Sequence, residues 1–386
     1  MTIIDAPEGL WLGRCWLPSA RGPAVVTLRD SQVVDITGAD APTVSHVIDL
    51  ADPAGHVRGA PGVALGPLDA IAANPTDPGI LHLLAPCDLQ AVKACGVTFA
   101  RSMVERVIEE KAAGDPARAE AIRARVGQVI GDSLRNLRAG SPEAAEVKRA
   151  LIEEGLWSQY LEVGIGPDAE VFTKCPPMAA VGAGAAVGLH PISTWNNPEP
   201  EIVLAVSSAG RILGATLGND VNLRDVEGRS ALLLGKAKDN NASCAIGPMI
   251  RLFDGGFTLD DVRRAELTLT VEGEDGYRLT GHSSMSEISR DPEDLVAQTL
   301  GRHHQYPDGI VLFLGTLFAP TEDRDTPGEG FTHKPGDVVT ISAPGLGALT
   351  NTVRLSTEAP EWTFGTRALM ANLAARNLLA HGPAAT

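Results

Sequence analysis

Trp195-Asn196-Asn197-Pro198-Glu199-Pro200-Glu201 leads into an apolar run, Ile202 to Val206, then a turn, Ser207-Ser208-Ala209-Gly210, and a second apolar run, Ile212 to Leu217, closed by Asn219-Asp220. Two apolar runs across a short turn of small residues read as a β-hairpin. Strand alternation puts Glu199 and Glu201 on one face, and the hairpin returns the chain so that Asn219-Asp220 lies beside them. Three carboxylates at one hairpin mouth repel each other unless a cation sits between them. Two glutamates and an aspartate, with no Cys or His in the set, are hard oxygen donors that suit Mg²⁺, Mn²⁺ or Ca²⁺ better than zinc. Taken alone, the Glu-Pro-Glu reads more simply as solvated carboxylates at a strand end.

Working outward, 386 residues suit two domains, or one large domain with an appendage, and 44% hydrophobic content is enough for a sizeable core. The net charge of −16, with a pI near 5.0, argues against binding a nucleic-acid backbone or an anionic membrane surface. A small anionic substrate stays compatible, because a bound divalent cation reverses the sign locally. Cys15, Cys87, Cys95, Cys175 and Cys244 are scattered and odd in number. They read as reduced thiols in a cytoplasm rather than a disulfide framework or a zinc site. Met1 to Leu10 reads as having no secretory leader, and no apolar run approaches the roughly 20 residues that cross a bilayer.

Residues 1–85 read as a small β-rich N-terminal domain with short runs such as Ala24–Leu28 and Val33–Ile36. Residues 52–80, rich in Pro and Gly, read as a long surface connection. His46, His56 and His82 are isolated, and a structural role is expected of each. A second domain, 86–386, opens with the segment Leu81–Pro86 and a strand near Cys95–Phe99. Ser102 then reads as a helix N-cap, with Glu105 completing a capping box. Helical patterns from Ser102, over Pro116 to about Ile130 and from Pro142 to about Glu154 make 102–155 a helical insertion, expected to act as a lid. Gly182, Gly184 and Gly188 are spaced like a dinucleotide loop, but Cys175-Pro176-Pro177 stands where a strand is needed and Pro191 where a helix should begin. A Gly-rich surface turn is expected there instead. The polar run Gly235–Pro248 suits a loop lining a cavity, and its Lys238 becomes of interest if it lies near the carboxylates. Downstream, strands over 265–290, a helix from Pro292 to about Tyr306, a buried strand ending in Gly315-Thr316, a β-pair at 335–353 and a helix from about Gly365 to Leu379 complete the expected elements.

From about Leu83 to Val353 the chain resembles the fumarylacetoacetate hydrolase superfamily. The marks are Gly96-Val97-Thr98-Phe99, Phe172-Thr173-Lys174, Glu199-Pro200-Glu201, Asn219-Asp220 with Arg224-Asp225, Lys238 with Ile246-Gly247-Pro248, Gly315-Thr316, Lys334–Val338 and Leu346–Asn351, in that order. Within that superfamily Trp195–Glu199, Lys238–Asn241 and His304–Gly309 look like the 2-keto-3-deoxy-pentonate dehydratases, of the xylonate and arabinonate type. The resemblance implies an α+β fold, with a mixed β-roll catalytic domain. It implies Mg²⁺, with Mn²⁺ as an alternative, held by Glu199, Glu201 and Asp220. Lys238 matches the active-site lysine and Thr316 the substrate-contacting Gly-Thr, while Lys174 and Arg224 are expected around the substrate. A homodimer or dimer of dimers is expected from the family.

Two departures bear on the reaction. Hydrolases and decarboxylases of the superfamily usually carry His where Ser102 stands, paired with a Glu three residues on, here Glu105; and Ala242 stands where many members have Thr. A histidine takes a proton from water near neutral pH and a lone serine does not, so an elimination is expected rather than C–C hydrolysis. The expected reaction is loss of water from a five-carbon 2-keto-3-deoxy sugar acid to give 2-oxoglutarate semialdehyde (2,5-dioxopentanoate), with the metal as Lewis acid for the enolate. Glu105 and Lys238 are the expected proton-transfer groups, Ser102 orients a hydroxyl or water, and Arg224 and Asp225 brace the site. Metal-dependent hydrolysis of 2,4-diketo acids or decarboxylation of a 2-oxoacid, and a non-catalytic binder of 2-oxoacids, are the rival expectations.

Overall fold

A computed structural model describes residues 3–379 apart from 73–75, 114, 116–117, 120–121, 123–136, 154, 156, 317–319, 321 and 328–329. The chain starts as an antiparallel meander, β1 (Trp11–Leu17), β2 (Gly22–Arg29) and β3 (Gln32–Asp35). The segment 52–80 is not a bare connection. Asp52 Oδ1 accepts the Gly55 N–H (2.8 Å) and Pro53 takes the first helical position, so a helix forms over Pro53–Gly59. An edge strand, β4 (Val63–Pro67), and a short helix, Leu68–Ala72, follow. Val57 of the first helix is buried against Val34, Ile36, Val44 and Val47.

β5 (His82–Leu84) pairs back onto β1, while β6 (Ala91–Gly96) belongs with the strands further along the chain. The helix Ala100–Ala112 comes next. Ser102 lies inside it rather than at its cap: its hydroxyl donates to Phe99 O (3.0 Å), and Met103 N–H also donates to Phe99 O (2.9 Å). The expected helix from Pro116 falls mostly outside the described residues, whereas the next one forms over Pro142–Glu153.

β7 (Glu170–Cys175) and β8 (Ala186–Leu189) flank the Gly-rich run. Gly184 lies exposed in a turn (φ +82°), as expected, but Gly182 and Gly188 on either side of it are buried. A Cβ on Gly182 would lie 2.5 Å from the Leu84 carbonyl carbon, and one on Gly188 would lie 2.2 Å from Asn241 O. These glycines admit neighbouring backbone, which is why the spacing imitates a ligand loop.

The expected hairpin is present as β10 (Pro200–Val206) and β11 (Ile212–Asp220), with β9 (Asn196–Asn197) and β12 (Asn222–Leu223) pairing at its mouth. β13 (Cys244–Leu252), β14 (Glu266–Glu272), β15 (Arg278–Ser284), β16 (Ile310–Phe313), β17 (Val338–Ala343) and β18 (Gly347–Leu355) complete the strands. The helix expected to reach Tyr306 stops at Thr299, and the last helix spans Thr366–Ala375.

One sheet runs β4-β3-β2-β1-β13-β11-β10-β16-β6-β7, with β5 alongside β1; a second runs β15-β14-β17-β18-β8. Both are mixed, since β16 pairs β6 in parallel and β18 pairs β8 in parallel. The first strands of the expected N-terminal unit therefore share their sheet with the carboxylate hairpin through β1 and β13. β10 is buried on both sides. Ile202, Leu204 and Val206 pack in one core with Leu269, Ile341, Leu349 and Val353 of the second sheet, and Val203 packs with Val92, Val311 and Phe313 on the other side. Burial on two faces explains why β10 reads as an unbroken apolar run rather than an alternating one. No described helix is long and apolar enough to cross a membrane.

Candidate metal centre and active site

The hairpin register pairs Pro200 with Asn219 and Glu201 with Gly218, and Asp220 N–H donates to Glu199 O (3.0 Å). Directly opposed residues share a face, so Glu199, Glu201 and Asp220 converge on one side of β10 and β11. They each offer an oxygen within 4.8 Å of the others. None is more than 2% exposed, which removes the reading of solvated strand-end carboxylates. Gly218 makes room there, since a Cβ would lie 2.3 Å from the Phe313 ring. After β16 the chain turns at Gly315 (φ +101°), where a Cβ would lie 2.0 Å from Thr98 Oγ1. The bare backbone lets Gly315 N–H donate to Glu201 Oε2 (2.7 Å) and carries Thr316 into the pocket.

Three cations meet this cluster. Lys238, at the end of the short helix Leu234–Lys238, donates to Glu199 Oε2 and to Asp220 Oδ2 (2.9 Å). Lys174 of β7, fully buried, lies 2.6 Å from Asp220 Oδ1 and donates to Val221 O (3.1 Å) and Lys238 O (2.5 Å). It thus ties the lysine-bearing helix to the aspartate from behind. Arg106, on the helix Ala100–Ala112, reaches Glu199 Oε1 (2.5 Å) and Glu227 Oε2 (2.8 Å).

The electrostatics follow from burial first. Burial pushes the Glu201 carboxyl well above the usual range, and Asp220 and Glu199 add to the shift. Glu199 is also raised by burial, with Lys238 and Arg106 pulling the other way. Burial pushes Asp220 up too, but Lys174 and Lys238 outweigh it and hold the carboxyl below its ordinary value. Burial alone would lower the Lys238 pKa; Asp220 and Glu199 outweigh it, and the pKa is raised, which favours the charged form.

A pocket opens on this face, lined by the three carboxylates, Ser102, Arg106, Lys238, Thr316, Cys95, Val97, Phe172, Glu170 and Glu227. Ser102, Lys238 and Thr316 thus come together with the triad as the sequence reading grouped them. Lys174 sits behind Asp220 rather than on the pocket wall. Arg224 stacks over the Trp195 ring (4.4 Å to its centroid), donates to Pro320 O (3.0 Å) and lies 3.4 Å from Glu105 Oε2. Glu105 is likewise absent from the lining. Asp225 accepts from Ser193 Oγ (2.7 Å) and Thr194 N–H (2.8 Å), bracing the loop before Trp195.

The sequence reading passed over Arg106, Glu170, Glu227 and Phe172 as pocket residues. Arg106 follows Ser102 by four residues, so both face the pocket once Ser102 does. That spacing was the available signal. Glu170, at the start of β7, is half-buried, and burial followed by the nearby Glu227 raises its carboxyl to about 7.

The donor set fits a divalent cation. Five carboxyl groups (Glu170, Glu199, Glu201, Asp220, Glu227) outnumber the three cationic side chains among them (Arg106, Lys174, Lys238), and a bound dication would offset the excess charge as the raised carboxyls ionise. Among the described residues no lysine or arginine lies within 4 Å of Glu201, and Thr316 Oγ1 is buried without a hydrogen-bond partner. Cys95 also lines the pocket, but burial, with Glu201 beside it, raises its thiol pKa; a neutral thiol leaves the oxygens as the donors.

The sequence model described as "Fumarylacetoacetate (FAA) hydrolase C-terminal" matches residues 162–354, from the segment before β7 to the end of β18. The chain belongs to the fumarylacetoacetate hydrolase family. Its α+β architecture is the one expected from the motifs. The chain is 27% identical over 333 residues, 84% of its length and 93% of the relative's, to a protein of Haloferax volcanii named "Probable 2-keto-3-deoxyxylonate dehydratase". It is 31% identical over 188 residues, 48% of its length and 58% of the relative's, to the 2-dehydro-3-deoxy-D-arabinonate dehydratase of Saccharolobus solfataricus. Among solved structures it shares its fold with a 2-keto-3-deoxy-D-arabinonate dehydratase complexed with magnesium and 2,5-dioxopentanoate. That likeness has a TM-score of 0.60 and 20% identity, and covers 89% of this chain and 99% of the other.

Proposed function

We propose that this protein is a Mg²⁺-dependent hydro-lyase that removes water from a 2-keto-3-deoxy-pentonate to give 2,5-dioxopentanoate. The observation that carries the reading is the buried Glu199–Glu201–Asp220 triad beside a charged Lys238, in a chain aligned over 93% of a relative named as such a dehydratase. Glu199, Glu201 and Asp220 would hold the cation, which when bound supplies Lewis acidity for charge building on the substrate's 2-keto oxygen.

The chain's own residues divide the remaining work. Asp220 and Glu199 favour the charged form of Lys238, and a charged lysine there is placed to stabilise negative charge building on the substrate. Glu105 faces Arg224 and Glu170 lines the pocket, so Glu170 is the better placed carboxylate for proton exchange. A carboxyl raised to about 7 is matched to that work near neutral pH. Ser102 and Thr316 offer hydroxyls to the substrate's own, and Thr316 Oγ1 awaits a partner. The helix Ala100–Ala112 contributes Ser102 and Arg106 to the pocket lining, the position from which it would limit water at the reacting carbons. We place the protein in the cytoplasm, consistent with five buried free cysteines, as a homodimer or dimer of dimers.

The reading is tested by incubating the protein with racemic 2-keto-3-deoxy-pentonate and Mg²⁺, with and without EDTA, and following aldehyde formation. Metal-dependent 2,5-dioxopentanoate is expected, with half of the racemate consumed if one C4 configuration is chosen. Pyruvate from a 2,4-diketo acid, with no aldehyde, would replace it with the hydrolase reading. If the ionised form of Glu170 takes the proton, kcat/KM rises with pH to a plateau above about 7. A bound dication favours the carboxylate and moves the midpoint somewhat lower. Glu170→Gln should lose about 10²–10⁴-fold in kcat and the rising limb with it; a variant that keeps that limb assigns it to another group.

A further inference from the structure

The two oxygens of Glu199 are each already faced by a cation, Arg106 on Oε1 and Lys238 on Oε2. A divalent ion drawn to the same carboxylate is repelled by both. Lys238 is held on a second member of the triad, Asp220, and the helix that carries it is fixed through Lys174 to Lys238 O. Arg106 is held differently. Its second carboxylate is Glu227 (2.8 Å), which stands outside the triad on the short helix Arg224–Glu227. Arg106 can therefore turn off Glu199 and keep Glu227, where Lys238 has no such anchor.

We propose that Arg106 is the substrate-carboxylate receptor of the pocket, masked by Glu199 until a cation claims that glutamate. A guanidinium pivoting on Glu227 presents a planar pair of N–H groups that matches a carboxylate. Arg106 is 9% exposed and lines the pocket together with Ser102, one helical turn away. Binding is then ordered: the cation frees Arg106, and Arg106 with the cation takes the anionic 2-oxoacid. The same contact couples the helix Ala100–Ala112 to the metal. This proposal rests on the 2-oxoacid reading for the anion, while the competition between Arg106 and the cation needs no substrate.

The signature is a pair of opposite effects. Removing a positive charge beside Glu199 strengthens cation binding, and removing the carboxylate receptor weakens anion binding. In Arg106→Gln, Mn²⁺ affinity measured by calorimetry without substrate should rise at least about fivefold. The Kd of 2-oxobutanoate, a non-reacting 2-oxoacid probe, at saturating Mn²⁺ should rise about tenfold or more. Arg106→Lys keeps the charge but not the planar fork, so its Mn²⁺ affinity should stay near wild type while the probe still binds weakly. A merely structural arginine would weaken both ligands together. Unchanged or weaker Mn²⁺ binding in Arg106→Gln, with wild-type near-ultraviolet dichroism, overturns the masking, and unchanged probe affinity overturns the receptor. Failure of the wild type to turn over any 2-keto-3-deoxy acid would count against the dehydratase reading and leave the Mn²⁺ comparison standing.

Discussion

Glu201→Gln should lose turnover by about 10³-fold, about 4 kcal/mol of transition-state stabilisation, together with most of the divalent-cation affinity. Glu201 is the member of the triad with no lysine or arginine within 4 Å among the described residues, so its charge is available to a cation in a way that the charges of Glu199 and Asp220 are not. Its Oε2 is oriented by Gly315 N–H (2.7 Å), and glutamine keeps the shape but gives up the charge. The fold should tolerate the change, because burial already pushes this carboxyl toward its neutral form when no cation is bound. Calorimetric titration with Mn²⁺ and steady-state turnover check both parts. A variant with normal Mn²⁺ affinity and normal kcat would remove the triad from the account.

Lys238→Met should be inactive and, without metal, markedly less stable. Lys238 is 2% exposed and pairs with Glu199 and Asp220, so its loss leaves two buried carboxylates short of a counter-charge. Removing one partner of a buried ion pair costs about 3–5 kcal/mol. The same loss makes the site more attractive to a dication, so Mg²⁺ should raise the Tm of the variant by more degrees than it raises that of the wild type. Thermal unfolding with and without Mg²⁺ reads both effects. If the variant unfolds at the wild-type temperature without metal, Lys238 is not the buried counter-charge that the geometry makes it. If Mg²⁺ fails to stabilise it, the cation does not bind between these carboxylates.

The hairpin was legible in the sequence because two apolar runs, a turn of small residues and flanking acids bring Asp220 back beside Glu199 and Glu201, while the exact register, Glu201 opposite Gly218, came only with the fold. What the sequence alone left open was burial, since carboxylates at a strand end look the same solvated or enclosed. The family motifs, not periodicity, pointed to Lys238 and Thr316. Arg106, despite its four-residue spacing from Ser102, and Glu227 were missed because a charged residue on a helix reads as part of a solvated face. Only tertiary packing brings Arg106 to Glu199, 93 positions along the chain. Glu170 stands at the first position of β7 and carries no local signal either. Ser102 was read as a cap from its Ser-x-x-Glu spacing, yet the helix begins two residues earlier at Ala100, and its hydroxyl turns back to Phe99 O. The glycines of 182–188 show the converse. Their spacing imitates a phosphate loop, while the small size of Gly182 and Gly188 serves close backbone contacts with Leu84 and Asn241, and Gly184 turns the chain between them.

Anomalous scattering from Mn²⁺ in crystals of the protein tests the central claim most directly. A single strong peak within coordination distance, about 2.0–2.6 Å, of carboxylate oxygens from Glu199, Glu201 and Asp220 is the predicted result. A peak held by other residues, or none at all in crystals of protein that dehydrates its substrate, would contradict it.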